Sequence, residues 1–171
     1  KRAAVSSSAP SRAALGTLTV SSAGLLGLAI YQWLELLSVR AGHTTVCSVN
    51  EVVDCAKVWN SPFAHLVQEY LGMPVAGLGV LWGTVALALA LFLSQKPEIF
   101  INAVKVWALL GLLSCVTFIS ASVEARGLCL TCLGTYVLTA GYAVGALKLL
   151  GGPAIPPVGG LLTGLGWGVA P

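Results

Sequence analysis

Four stretches of the chain carry no charge and are almost wholly apolar. The first runs Ala13–Leu34, between Arg12 and Glu35, and the second lies between Glu69 and Lys96, with its apolar heart at Val75–Leu93. The third falls between Lys105 and Glu124, extendable forwards through Ile99–Val104, and the fourth is Gly127–Leu147, closed by Lys148. About 20 apolar residues cross a bilayer core of ~30 Å, so each stretch can span. None alternates polar and apolar residues as a barrel strand would, and isolated strands leave their backbone groups unsatisfied in lipid. The pattern predicts an all-α membrane protein, a four-transmembrane-helix bundle with spans at about 13–36, 73–94, 100–122 and 128–149. Gly24, Gly27, Gly79, Gly83, Gly111, Gly141 and Gly145 recur within them and suit close helix–helix approach.

A shorter pattern sits in the first long loop. After Ser61-Pro62, apolar residues fall at Phe63, Leu66, Val67, Tyr70 and Leu71, the spacing of one helix face. Ser61 is the expected N-cap, Pro62 the first helical residue and Gly72 the stop. Such an amphipathic helix should lie flat on the membrane surface with its apolar face towards the bundle, as a lid. His65 and Glu69 fall on its polar face and are read as solvated.

Composition agrees with lipid as the main solvent. Of 171 residues 57% are apolar and 9% charged, and mean hydropathy is +0.90. A water-facing domain carries about 25% charged residues. A net charge of +3 gives no electrostatic footprint for nucleic acid, and five cysteines are too few for a disulfide-dense secreted scaffold. Lys1, Arg2, Arg12, Lys96, Lys105 and Lys148 gather on one side of a four-span bundle, with Glu98 as the only acid. Basic residues mark the cytoplasmic side, so both termini are expected inside and the loop from about Glu35 to Leu71 outside. Residues 1–12 read as a cytoplasmic segment with something trimmed upstream, and the first span as too long for a cleaved signal peptide. The tail 151–171, with seven glycines and four prolines, makes a poor helix and reads as a linker or the start of a fifth span.

Four of the five cysteines fall at the outward surface. Cys47 and Cys55 lie in the loop, and Cys129-Leu130-Thr131-Cys132 opens the fourth span. A C-x-x-C in the first turn of a helix can close a disulfide, and the helix dipole there stabilises a thiolate. Arg126 adds positive charge nearby. One thiolate can attack while its neighbour resolves, which is what thiol–disulfide exchange needs. A structural zinc site and a purely structural bridge from loop to helix compete with this reading. Zinc thiolates come in paired short spacings, unlike Cys47-x7-Cys55, and no metal is expected. Haem attachment fails because Leu133, not histidine, follows Cys132. Cys115, alone in the third span, reads as a small buried apolar side chain.

Together these residues resemble the vitamin K epoxide reductase family, in its bacterial disulfide-forming branch. The features that carry the resemblance are Cys47-x7-Cys55, Ser61 six residues on, the Leu66-Val67…Leu71-Gly72 segment, and Cys129-Leu130-Thr131-Cys132-Leu133-Gly134-Thr135-Tyr136. The resemblance covers roughly Ala13 to Leu150. It implies a membrane thiol–quinone oxidoreductase in the bacterial inner membrane, with its active site on the periplasmic side, supporting disulfide formation. It makes Cys129 and Cys132 the redox centre, with Cys132 the thiolate that contacts the quinone. Cys47 and Cys55 become the shuttle pair, Cys55 attacking Cys129. Tyr136 becomes the hydrogen-bond donor to a quinone carbonyl of ubiquinone or menaquinone type. Ser61, Phe63 and Leu66 would support that site. A thioredoxin-like thiol oxidoreductase, separate or fused downstream, is the implied partner. The asparagine that animal members carry near the start of the second span is missing from Gly72–Gly79. A non-catalytic membrane scaffold, its cysteines merely stapling the loop, is the alternative.

Overall fold

The computed structural model describes residues 10–50 and 52–149. Both the tail 151–171 and most of the N-terminal segment therefore lie outside the described residues. Among the described residues there are six helices: α1 (Arg12–Arg40), α2 (Cys55–Trp59), α3 (Pro62–Leu71), α4 (Val75–Gln95), α5 (Pro97–Glu124) and α6 (Leu130–Lys148). The four long ones are apolar enough to cross a membrane and overlie the four charge-free stretches. The protein is an all-α four-helix membrane bundle. Helix α1 packs against α4 and α6, and α5 packs against the same two, so α1 and α5 stand diagonally opposed.

Small residues let α1 approach its neighbours. A Cβ built on Gly83 would sit 3.0 Å from the Leu26 Cα, and one on Gly145 would sit 2.9 Å from Leu18 Cγ. Gly141 meets Ser21, and Gly111 meets Trp82 and Thr139. Gly27 differs from the expectation: it faces open space, because the α1 face it occupies has no helix against it. Leu18, Ala86, Ala90, Leu93, Val104, Ala108, Tyr142, Ala143 and Ala146 form the buried core of one end. Without a hydrophobic drive between helices in lipid, close van der Waals packing of this kind holds a bundle.

The loop helix α3 forms as the capping residues dictate. The Ser61 hydroxyl accepts from the Ala64 amide at 3.3 Å, Pro62 is the first helical residue, and Gly72 takes the left-handed conformation at φ 70° that a helix stop favours. Its apolar stripe does not face the bundle throughout. Phe63 meets Phe118 edge-to-face at 5.7 Å and Ala64 is buried, but Leu66, Tyr70 and Leu71 are 51%, 79% and 56% exposed. The first turn reaches the bundle and Gln68 accepts a hydrogen bond from Arg40 at the end of α1, while Leu66, Tyr70 and Leu71 are left for the membrane interface. As expected, His65 and Glu69 are exposed.

Candidate functional site

Two short backbone contacts bring the cysteine loop onto the start of α6. The Leu128 amide donates to the Val52 carbonyl at 2.7 Å, and the Asp54 amide donates to the Leu128 carbonyl at 3.1 Å, a parallel bridge between Val53 and Leu128. Lys57 Nζ adds a bond to the Arg126 carbonyl at 3.2 Å. Arg126 itself is exposed and adopts φ 50°, turning the chain between α5 and α6. Asp54 then caps α2: its carboxylate accepts from the Ala56 and Lys57 amides at 3.0 and 3.3 Å and from the Ser48 hydroxyl at 2.6 Å. The Ser48 hydrogen bond, more than the backbone donors, holds the Asp54 carboxyl below its ordinary range. Cys55 is the first residue of this capped turn.

The result is a buried sulfur cluster. Cys47 and Cys55 form one disulfide and Cys129 and Cys132 another. The Sγ atoms of Cys47, Cys55 and Cys129 lie within 4.8 Å of one another. Cys55 is fully buried, Cys129 is 2% exposed and Cys47 7%, and Leu36 and Trp59 pack around them. Three sulfurs at this spacing could hold a soft metal ion only as thiolates. Joined as disulfides, they are arranged for exchange. Cys129 is the N-cap of α6, and its sulfur accepts from the Cys132 amide at 3.2 Å. Backbone stabilisation of a thiolate thus falls on Cys129.

Cys132 packs against the same cluster but also reaches beyond it. It lines a half-open cavity of about 320 Å³ bordered by α1, α2, α3, α4, α5 and α6, whose walls include Tyr136, Trp59, Phe63, Trp82 and Phe118. That volume is within the range of small-molecule sites, and the apolar lining with few polar groups is typical of them. Tyr136, one helical turn from Cys132, lines it as the i, i+4 spacing requires. Ser61 and Phe63 also line it; Leu66 does not, because it sits on the outward side of α3. A second, neighbouring cleft between α5 and α6 shares Ser122, Cys132 and Tyr136 with the first.

Several lining residues were not foreseen. Gln32, 6% exposed in the middle of α1, donates through Nε2 to the Thr135 hydroxyl at 3.1 Å. Its signal was a lone amide in an apolar span. Trp82 carries the one buried side-chain polar atom without a partner among the described residues, its Nε1. Cys115, expected to be a buried packing residue, is instead half-buried in the cavity wall as a free thiol.

The match to known proteins now has a geometry to rest on. The model of the vitamin K epoxide reductase family matches residues 15–147, all four long helices and the loop between the first two. The chain belongs to the vitamin K epoxide reductase family. As a member it is an integral membrane oxidoreductase acting on thiols and disulfides, in a family that is generally quinone-linked. No individual curated protein matches the chain.

Proposed function

We propose that this family member carries electrons from the thiols of a partner protein, through Cys47–Cys55 and Cys129–Cys132, to a quinone in the 320 Å³ cavity. One observation carries the reading: of the two C-x-x-C cysteines only Cys132 reaches the cavity. Cys129 is buried against the loop disulfide, and Cys132 lines the cavity. A single pair can therefore receive electrons on one side and deliver them on the other.

The exchange is two displacements. Once a partner has reduced the loop pair, the Cys55 thiolate attacks Cys129, forming a Cys55–Cys129 bond and releasing the electron pair to Cys132. Cys47 then attacks Cys55, restores the loop disulfide and frees Cys129. In the cavity Tyr136 and Gln32 would hold the carbonyl oxygens of a ubiquinone- or menaquinone-type ring. Gln32 supplies the amide that the start of α4 lacks. A bound quinone supplies the acceptor for two electrons and two protons. Trp59, Phe63 and Phe118 line the same cavity as Cys132 and give the ring an apolar bed beside it.

The positive-inside distribution of Lys and Arg supports a bacterial inner-membrane orientation with the sulfur cluster on the periplasmic side. Beside Cys47, Val46, Val49 and Val52 are 80%, 69% and 59% exposed. These valines suit docking of a thioredoxin-like partner, separate or fused beyond the bundle domain of residues 13–150.

Alkylation mass mapping tests the reading. Fully reduced protein is mixed with a short-tailed ubiquinone or menaquinone analogue and quenched over time. Quinone-dependent loss of free thiols at Cys129 and Cys132, followed by loss at Cys47 and Cys55, is expected. Thiol states indifferent to quinone would leave the scaffold reading.

A further inference from the structure

Thr131, inside the C-x-x-C, has a hydroxyl placed between the two sulfurs that must join. Its Oγ1 lies 3.2 Å from Cys129 Sγ and 3.7 Å from Cys55 Sγ. Both sulfurs are in disulfides and carry no proton, so Thr131 is the only possible donor in either contact. Thr131 is half-buried, and both sulfurs are almost fully buried, so water competes poorly for them. Cys55 begins a helix whose cap is already occupied by Asp54, and no backbone donor to its sulfur is present among the described residues. Cys129 has the Cys132 amide; Cys55 has only the threonine.

We infer that Thr131 is a catalytic residue of the exchange, its single hydroxyl donating first to the attacking Cys55 thiolate and then to the departing Cys129 thiolate. The inference rests on the relay proposed above. In the first displacement the Cys55–Cys129 bond forms and the Cys129–Cys132 bond breaks, its electron pair going to Cys132. In the second the Cys47–Cys55 bond forms and the Cys55–Cys129 bond breaks, its electron pair going to Cys129. The protons of Cys55 and Cys47 leave to water as those thiols ionise. Between the two steps only the hydroxyl hydrogen turns, about the Cβ–Oγ1 bond. A hydrogen bond to the thiolate favours the charged form and lowers the thiol pKa, so Thr131 keeps Cys55 ionised nearer neutral pH.

The first displacement can be isolated in a Cys47→Ala chain, where Cys55 has no loop partner and the Cys55–Cys129 bond is the end product. Reduced protein is re-oxidised in acid, where Cys55 stays a thiol and cannot attack the Cys129–Cys132 bond, then jumped to a series of pH values, quenched by alkylation, and its Cys55–Cys129 bridge quantified by peptide mapping. Thr131→Val, which keeps the branched shape without the hydroxyl, should slow bridge formation about tenfold near neutral pH, moving the rate profile up by about one pH unit. The lost rate returns at high pH, where Cys55 ionises unaided. Thr131→Ser should keep the parent profile. A Thr131→Val profile that coincides with the parent overturns the inference, as does a Thr131→Ser variant as slow as Thr131→Val. If the bridge never forms with Thr131 intact, the relay itself is wrong and the inference falls with it.

Discussion

The two ends of the bundle are held by different chemistry. At the end where α1 begins and α6 finishes, Leu18, Ala86, Ala90, Val104, Tyr142 and Ala146 pack helix on helix, with Gly145 letting Leu18 come close. At the other end the long helices are joined by a loop, and Cys47, Cys55, Cys129 and Trp59 fill the space between them. One end is fixed by shape and cannot rearrange without cost. The other is fixed partly by bonds that exchange. A protein that must move electrons without moving its helices needs this division, since the rigid end keeps α6 in place while disulfides reshuffle at its start.

Substitutions at the two ends should therefore fail in different ways. The largest effect is expected for Cys55→Ser, which should abolish oxidation of partner thiols while the reduced Cys129–Cys132 pair is still oxidised by quinone. Partner-thiol turnover and alkylation mapping on the same sample separate the two. Gly145→Val attacks the other end. Its side chain would meet Leu18 at 2.9 Å with the Leu18 amide 3.2 Å away, so the backbone must yield. Overpacking of this kind costs about 1–3 kcal/mol, and thermal unfolding in detergent should show it, with cysteine chemistry failing only as the fold does.

The middle of the molecule joins the two behaviours. Tyr136→Phe keeps the ring and deletes the hydroxyl, so stability should hold while quinone turnover falls. A lost neutral hydrogen bond costs about 0.5–1.5 kcal/mol, roughly threefold to tenfold in rate or affinity. Steady-state reduction at varied quinone checks this, and single-turnover exchange between Cys55 and Cys129 should be untouched. Equal damage to both steps would mean that the start of α6 had moved, which would dissolve the distinction between its two faces.

The smallest effect concerns pH at the sulfur end. The Asp54 carboxyl is held below the ordinary range, chiefly by the Ser48 hydroxyl, so its folded form favours the charge. Its contribution is therefore complete above the ordinary Asp range, near pH 4, and is lost as pH falls through the depressed value. Hydrogen exchange at Ala56 and Lys57 should rise over that acid window, and only there. Asp54→Asn should show the faster exchange already at neutral pH.

The sequence carries the spans because charge is costly in lipid: a stretch such as Gly127–Leu147 has few alternatives to a membrane helix. Caps are equally readable, since Ser61, Pro62 and Gly72 act on their own neighbours. Contacts between distant segments are not. Nothing local in Val52-Val53 or Leu128 announces that their backbones pair, yet that bridge is what sets Cys55 against Cys129. The amphipathic stripe of α3 also misled at Leu66. Periodicity says which residues share a face, but in a membrane protein an apolar face can be turned to the interface as well as to the core. Gln32 and Cys115 reached the cavity wall through helix rotation, which an apolar span does not encode.

The central claim is that Cys129 is reached from the loop and Cys132 from the cavity. Cys47→Ala tests the first half directly, because it removes the thiol that would release Cys129 from Cys55. Non-reducing peptide mapping of that variant, purified without reductant, should recover a disulfide between Cys55 and Cys129, with Cys132 free to alkylate. Recovery of a Cys129–Cys132 bridge alone, with Cys55 free, would contradict the account.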